Sequence, residues 1–213
     1  MREAAFFDLD HTLVIGDSTE RIFLRHLRRG GEVGTREILR WLAHFLREPT
    51  IAGGFFRCNK HYLAGKPLTR IQTLAAEAAA EAEALVSPRG RRCMEEHQRA
   101  GRLICLITGA LDVVTEPLSR SLPVDVVMAT TLASEDGRLT GRLNGLYPRG
   151  ENKKVLMNRL AAQEGISLAG SYAYGDDFYD LPMLEAVGHP VAVNPRRGLE
   201  KVANARGWRI ESF

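Results

Sequence analysis

Ala4-Ala5-Phe6-Phe7-Asp8-Leu9-Asp10-His11-Thr12-Leu13 sets a short apolar run, two carboxylates and a Thr-Leu turn within ten residues. The run from Ala4 to Leu9 reads as a buried strand, because short apolar runs that stop at turn signals suit strands covered on both faces. The carboxylates then stand at its carboxyl end. The rest of the chain decides what kind of sheet that strand joins.

From about Ser18 to Leu85 the apolar residues recur at helical spacing: Ile22, Phe23 and Leu27, then Ile38, Leu39, Leu42, Phe45 and Leu46. Breaks fall at Gly30-Gly31, Pro49 and Gly65-Lys66-Pro67, and Ala75 to Leu85 is alanine-rich helix. No strand candidate lies in this block. It reads as an all-helical insertion over residues 16–86.

After Pro88 helices and strands alternate. A helix is expected from about Arg91 to Arg99, a strand over Leu103–Ile107, a helix to about Ser121 and a strand at Val124–Met128. Asp136-Gly137, inside Ala129–Gly145, signals a hairpin. A helix over Asn152–Glu164, a strand at Ser171–Tyr174, a helix over 180–187, a strand at Val191–Val193 and a last strand near Trp208–Ile210 complete the pattern. Such alternation predicts an α/β fold, a doubly wound parallel sheet with helices on both faces. Ligands bind beyond the carboxyl ends of the strands in these sheets.

Those ends carry chemistry. Asp8 and Asp10 follow the first strand, Thr108-Gly109 the second, and Gly175-Asp176-Asp177 with Asp180 the strand at 171–174. Each piece alone has a plainer reading: Asp-x-Asp as a turn, Thr-Gly as a strand-to-helix turn, Gly-Asp-Asp as a helix cap, Lys153 as a surface lysine. Their coincidence at one sheet edge points elsewhere. Converging carboxylates repel unless a cation sits among them, and a hard ion such as Mg²⁺ suits carboxylate and carbonyl ligands. Thr108 supplies a hydroxyl, the following helix start supplies N–H groups for an anion, and Lys153 supplies positive charge.

Composition excludes several classes. The chain has 213 residues, 45% hydrophobic, with a formal charge of +3. Arg25, Arg28 and Arg29, like Arg89, Arg91 and Arg92, fall on amphipathic helices and read as solvated faces, so no nucleic-acid partner is expected. Cys58, Cys93 and Cys105 are odd in number and widely spaced, which argues against a disulfide framework or a zinc site. Neither a signal peptide nor a membrane-spanning run is visible, and a cytoplasmic protein is expected.

With these motifs in order, the sequence resembles the haloacid dehalogenase-like superfamily, and within it the phosphoserine-phosphatase-like branch. The matches are Asp8-Leu9-Asp10-His11-Thr12, Thr108-Gly109, Lys153 (Lys154 being the alternative), and Gly175-Asp176 with Asp180. Asp136-Gly137-Arg138-Leu139-Thr140-Gly141 resembles that branch's hairpin, and the helical block stands where the branch carries its cap. The resemblance implies a Rossmann-like core over 1–15 and 87–213 and a cap over 16–86. It implies a phosphatase in which Asp8 is the nucleophile and Asp10 the acid and base. Thr108, Gly109 and Lys153 would hold the phosphate. The Asp8 carboxylate, the Asp10 main-chain carbonyl and Asp176 would hold Mg²⁺, with Asp180 ligating through water or steadying the shell.

Asp10 argues for phosphate chemistry, because the dehalogenase branch lacks an aspartate there. The expected substrate is a small phosphorylated metabolite: phosphoserine, histidinol phosphate, phosphoethanolamine or phosphocholine. Asp17 stands where the branch carries a substrate-binding glutamate; either it meets the substrate, or Asp17 or Ser18 caps the first cap helix. Arg57, Lys60 and His61 are basic candidates for a substrate carboxylate, and Phe23, Trp41, Phe45, Phe55, Phe56 and Tyr62 are candidate pocket aromatics. A phosphotransferase or mutase on the same fold stays open, as, more remotely, does a phosphate-accepting signalling protein.

Overall fold

The structure, a computed structural model, describes residues 2–37, 39 and 59–213. Its frame is a six-stranded, wholly parallel sheet. β1 (Ala4–Phe7) is flanked by β2 (Leu103–Leu111) and β6 (Tyr172–Gly175). β3 (Val126–Thr130) extends one side; β7 (His189–Val193) and β8 (Arg209–Glu211) extend the other. The strand order β3-β2-β1-β6-β7-β8 reverses direction at β1, so a crevice opens beyond the carboxyl ends of β1 and β6.

Two-residue periodicity sorts the core into two layers. Ala5, Phe7, Ile104, Leu106 and Tyr174 face one side, under α1 (Thr19–Arg29), α2 (Leu68–Glu83), α3 (Pro88–Arg99) and α4 (Asp112–Ser119). Ala4, Phe6, Cys105, Ile107 and Ala173 face the other, under α5 (Glu151–Glu164), α6 (Leu181–Leu184) and α7 (Arg197–Arg206). Burial on both faces is why β1 reads as an uninterrupted apolar run rather than an alternating one.

The helical block leaves and rejoins the sheet at one place. Ile15 N–H donates to the Leu85 carbonyl at 3.0 Å and Ser87 N–H to the Leu13 carbonyl at 2.8 Å, so both connections run side by side. Among the described residues the block holds helices α1 and α2 and no named strand. Arg25 and His26 of α1 both reach Glu81 of α2, His26 Nε2 at 2.8 Å, and Arg25 also pairs with Asp17 just before α1.

Asp136 and Gly137 take φ of 48° and 73°, the left-handed pair of a two-residue hairpin turn, between β4 (Leu132–Glu135) and β5 (Arg138–Leu143). The hairpin braces the helical block: Leu68 N–H reaches the Gly137 carbonyl at 2.9 Å and Lys60 N–H the Gly141 carbonyl at 2.8 Å. A side chain at Gly141 would meet the His61 Cα at 2.9 Å, so glycine permits this approach.

Element ends differ from expectation where local contacts decide them. β3 begins later than Val124, because the Asp125 carboxylate accepts the Ile104 N–H at 2.8 Å. β2 runs on through Thr108-Gly109 to Leu111 with a register shift after Ile107. The helix expected over 180–187 is a 3₁₀ turn at Phe178–Asp180 followed by the single turn of α6. Of the second helical run, Ile38, Leu42, Phe45 and Leu46 lie outside the described residues, as do Trp41, Phe55, Phe56, Arg57 and Cys58. Among the described residues no helix is long and apolar enough to cross a membrane.

Candidate active site

Asp8 continues the sheet: its N–H donates to the Tyr174 carbonyl at 2.9 Å, which points its buried carboxylate into the crevice. The chain then folds back at once. His11 adopts φ of 66°, and the Leu13 and Val14 N–H groups both reach the Leu9 carbonyl at 2.9 Å. This turn places the Asp10 carboxylate against the start of α1, where it accepts from Thr19 N–H at 2.7 Å and Thr19 Oγ1 at 3.1 Å. The residue expected to act as acid is therefore held by the helical block rather than by the sheet.

Lys153, in the first turn of α5 and buried, bridges two carboxylates at 2.6 Å each, Asp8 Oδ1 and Asp180 Oδ1. Burial alone would lower its pKa; Asp180 and Asp8 more than offset that and push it up, so Lys153 stays charged. Of the two adjacent lysines it is Lys153, and not Lys154, that makes these contacts.

Asp180 is locked from the other end as well. Its Oδ2 accepts from the N–H groups of Asp176 and Asp177, each at 3.1 Å. Asp177 caps the following turn in a capping box with Asp180, so the cap reading holds for Asp177 while Asp176 faces the site. Gly175 makes this loop possible: a Cβ there would lie 2.6 Å from the Asp180 Cβ.

Asp8, Asp176 and Asp180 each offer an oxygen such that all three lie within 4.8 Å of one another. Burial, and next the charge of Asp180, hold the Asp176 carboxyl at about 7. Burial also pushes Asp8 well above its ordinary value, with Lys153 opposing. Carboxyls so placed gain from a divalent cation, and the donor set suits Mg²⁺. Both Asp180 oxygens accept hydrogen bonds within the site, Oδ1 from Lys153 and Oδ2 from the Asp176 and Asp177 N–H groups.

Thr108 is buried at the end of the straight part of β2, where its Oγ1 accepts the Ala110 N–H at 3.1 Å and keeps its own proton to donate. At Gly109 an added Cβ would sit 3.1 Å from the Tyr147 hydroxyl, so Tyr147 closes over that glycine.

These groups line a cavity of about 200 Å³. A larger hollow, about 680 Å³, lies at the opposite edge of the sheet beside His189 and Trp208, away from every residue of the acidic cluster.

The structure brings together Asp8, Asp10, Thr108, Gly109, Lys153, Asp176 and Asp180. It does not bring Asp17. That carboxylate is paired with Arg25, which lowers its pKa, and with Arg21 at 3.4 Å. Ser18 supplies the α1 cap, its hydroxyl accepting the Arg21 N–H at 3.4 Å. Glu20, one turn further on, faces the cavity instead, paired with the buried Lys60 and 3.4 Å from the Tyr62 hydroxyl. Phe23 is core rather than pocket.

Sequence reasoning also missed Arg149 and Arg196. Arg196 stands beyond the carboxyl end of β7, and its side chain reaches Asp176 at 3.4 Å and Asp177 at 3.1 Å. The strand-end rule could have found it; nothing in the sequence marks Arg149.

Comparison with known proteins settles the family. Residues 5–185 match the haloacid dehalogenase-like hydrolases. The chain belongs to that family. As a haloacid dehalogenase-like phosphatase it is 33% identical to a phosphoserine phosphatase of Mycobacterium tuberculosis, over 99% of this chain and 70% of that one. It is 31% identical to a histidinol-phosphatase of Neisseria meningitidis, over the whole of both chains. Its fold superposes on an apo phosphoserine phosphatase with a TM-score of 0.68 at 20% identity, covering 100% of this chain and 94% of that one.

Proposed function

We propose that this haloacid dehalogenase-like phosphatase is a Mg²⁺-dependent phosphomonoesterase that hydrolyses a small phosphorylated amino acid or amino alcohol through an aspartyl-phosphate on Asp8. The observation that carries the proposal is the pairing of a buried, lysine-bridged Asp8 with a second aspartate, Asp10, at the mouth of the same cavity.

Lys153 favours the ionised form of Asp8, whose carboxylate attacks phosphorus as the bond to the leaving alcohol breaks. Asp10 protonates the departing oxygen; burial raises its pKa, which favours the protonated form that step needs. Asp10 then takes a proton from water, which attacks phosphorus and frees Asp8 with inorganic phosphate. Thr108 Oγ1 and the Gly109 N–H orient the phosphoryl oxygens, and Lys153 offsets their charge. Mg²⁺ held by Asp8, Asp176 and the Asp10 carbonyl would neutralise further charge on the transferring group.

Residues 16–86 act as the lid over a core of 1–15 and 87–213; the paired connections at 13–15 and 85–87 support that division. The relatives named for phosphoserine and histidinol phosphate support a nitrogen-bearing substrate. So does Glu20: Oε1 takes Lys60 and Tyr62, and Oε2 can accept from an N–H donor of the substrate.

The test is phosphate release from a panel of phosphorylated amino acids, amino alcohols, sugars and nucleotides, with Mg²⁺ and with EDTA. Metal-dependent release that Asp8→Asn abolishes is expected. Release that survives EDTA, or that a folded Asp8→Asn protein retains, contradicts the mechanism, and consumption of ester with little free phosphate would indicate transfer to an acceptor.

A further inference from the structure

Among the described residues, three lysine and arginine side chains line the cavity, and two of them are spoken for. Lys153 is held by Asp8 and Asp180, and Arg196 by Asp176 and Asp177. Arg149 is different. Among the described residues it has no carboxylate within ion-pair distance; its guanidinium lies over the Tyr179 ring, 3.6 Å from the centroid. Tyr179 is 49% exposed, so the stack stands at the rim rather than on the floor beside Asp8.

The backbone fixes that position. Arg149 N–H donates to the Tyr147 carbonyl at 2.8 Å, and the Arg149 carbonyl accepts the Asn152 N–H at 3.2 Å as α5 begins. Arg149 thus stands one turn ahead of Lys153. A guanidinium held by a ring face alone keeps its five N–H donors for other partners, and its planar fork matches a carboxylate or phosphate.

The transferring phosphoryl group already has Lys153, the Thr108 hydroxyl, the Gly109 N–H and the metal ligands around it. Arg149 is surplus to that set and sits further out. We infer that Arg149 is a specificity residue that binds a second anionic group on the leaving-group side of the substrate, a carboxylate or a further phosphate. The inference rests on the phosphomonoesterase reading and narrows it. With Glu20 lining the same cavity, it favours phosphorylated amino acids over the uncharged-tail or purely cationic amino alcohols.

The experiment compares kcat/KM of the full-length enzyme, Arg149→Lys and Arg149→Ala across matched pairs. Phosphoserine against phosphoethanolamine differs in one carboxylate; 1,3-propanediol bisphosphate against propyl phosphate differs in one phosphate. Wild type should prefer the doubly anionic member of one pair, which identifies the second anion. Arg149→Ala should lower that preference ratio by about 10- to 100-fold, mainly through KM, as loss of a charge-assisted hydrogen bond implies. Arg149→Lys should recover part of it. A wild type with no preference in either pair, or a ratio unchanged in Arg149→Ala, overturns the inference. Equal loss for both members would overturn it too, by placing Arg149 on the transferring phosphoryl group. Failure of the phosphatase reading itself is separate: wild type would then release phosphate from none of the four, nor from p-nitrophenyl phosphate.

Discussion

In the absence of metal, Asp176→Asn should make the protein more stable at neutral pH, and the gain should vanish in acid. Asp176 is buried, and its carboxyl is held at about 7 against an ordinary 3.8. Because the folded-state pKa is the higher one, the folded protein is favoured below about pH 4 and loses stability as pH rises to 7. At ~1.36 kcal/mol per pKa unit, the ionised carboxylate costs the folded state up to ~4 kcal/mol above pH 7. The shift to about 7 already nets the opposing Arg196 contact at 3.4 Å, and the buried amide still needs partners of its own, so a gain of about 2–4 kcal/mol is expected. For a chain of this length that corresponds to a rise in Tm of roughly 4–9 °C. Thermal unfolding in EDTA from pH 4 to 8 reads it out, and adding Mg²⁺ should stabilise wild type and do little for the variant. An equal gain at pH 4 and pH 8, or a variant no more stable than wild type at pH 8, would refute the reasoning.

Thr19→Val removes the hydroxyl that reaches Asp10 at 3.1 Å but leaves the 2.7 Å N–H contact, so kcat should fall about tenfold with KM little changed, measured by steady-state kinetics. Gly175→Ala pushes a methyl against Asp180; urea unfolding should show a loss of at least about 2 kcal/mol, and activity should fall well beyond the unfolded fraction. Asp17→Asn gives up a solvent-facing ion pair with Arg25, so Tm should move by less than about 2 °C with no change in substrate preference. A shift in preference there would restore Asp17 to the substrate site.

The core of the site was legible because it is built at strand ends. Asp8, Thr108 and Asp176 each follow an apolar run, and the rule that α/β sheets bind ligands at those edges places them together without any coordinates. Lys153 was harder: in sequence it is one of two adjacent lysines, and only its direction off the first turn of α5 separates it from Lys154. The groups proposed to select the substrate were not legible for a different reason. Asp17 and Glu20 are both acids at the start of a helix, and which one turns inward depends on Arg25 and Lys60, residues brought in by packing. Arg149 has no pattern around it, since a cation stacked on a ring far along the chain leaves no periodic trace. β3 starts two residues late because a side chain, Asp125, completes the ladder where the apolar run does not.

The claim that Asp8 carries the phosphoryl group is tested most directly by acid-quenching the enzyme with p-nitrophenyl phosphate and Mg²⁺ within one turnover, then mapping the adduct by mass spectrometry. One phosphoryl group on Asp8, absent from Asp8→Asn and when EDTA is added, is the expected result. Turnover proceeding with no adduct at any quench time, together with wild-type-like turnover by Asp8→Asn, would contradict the account.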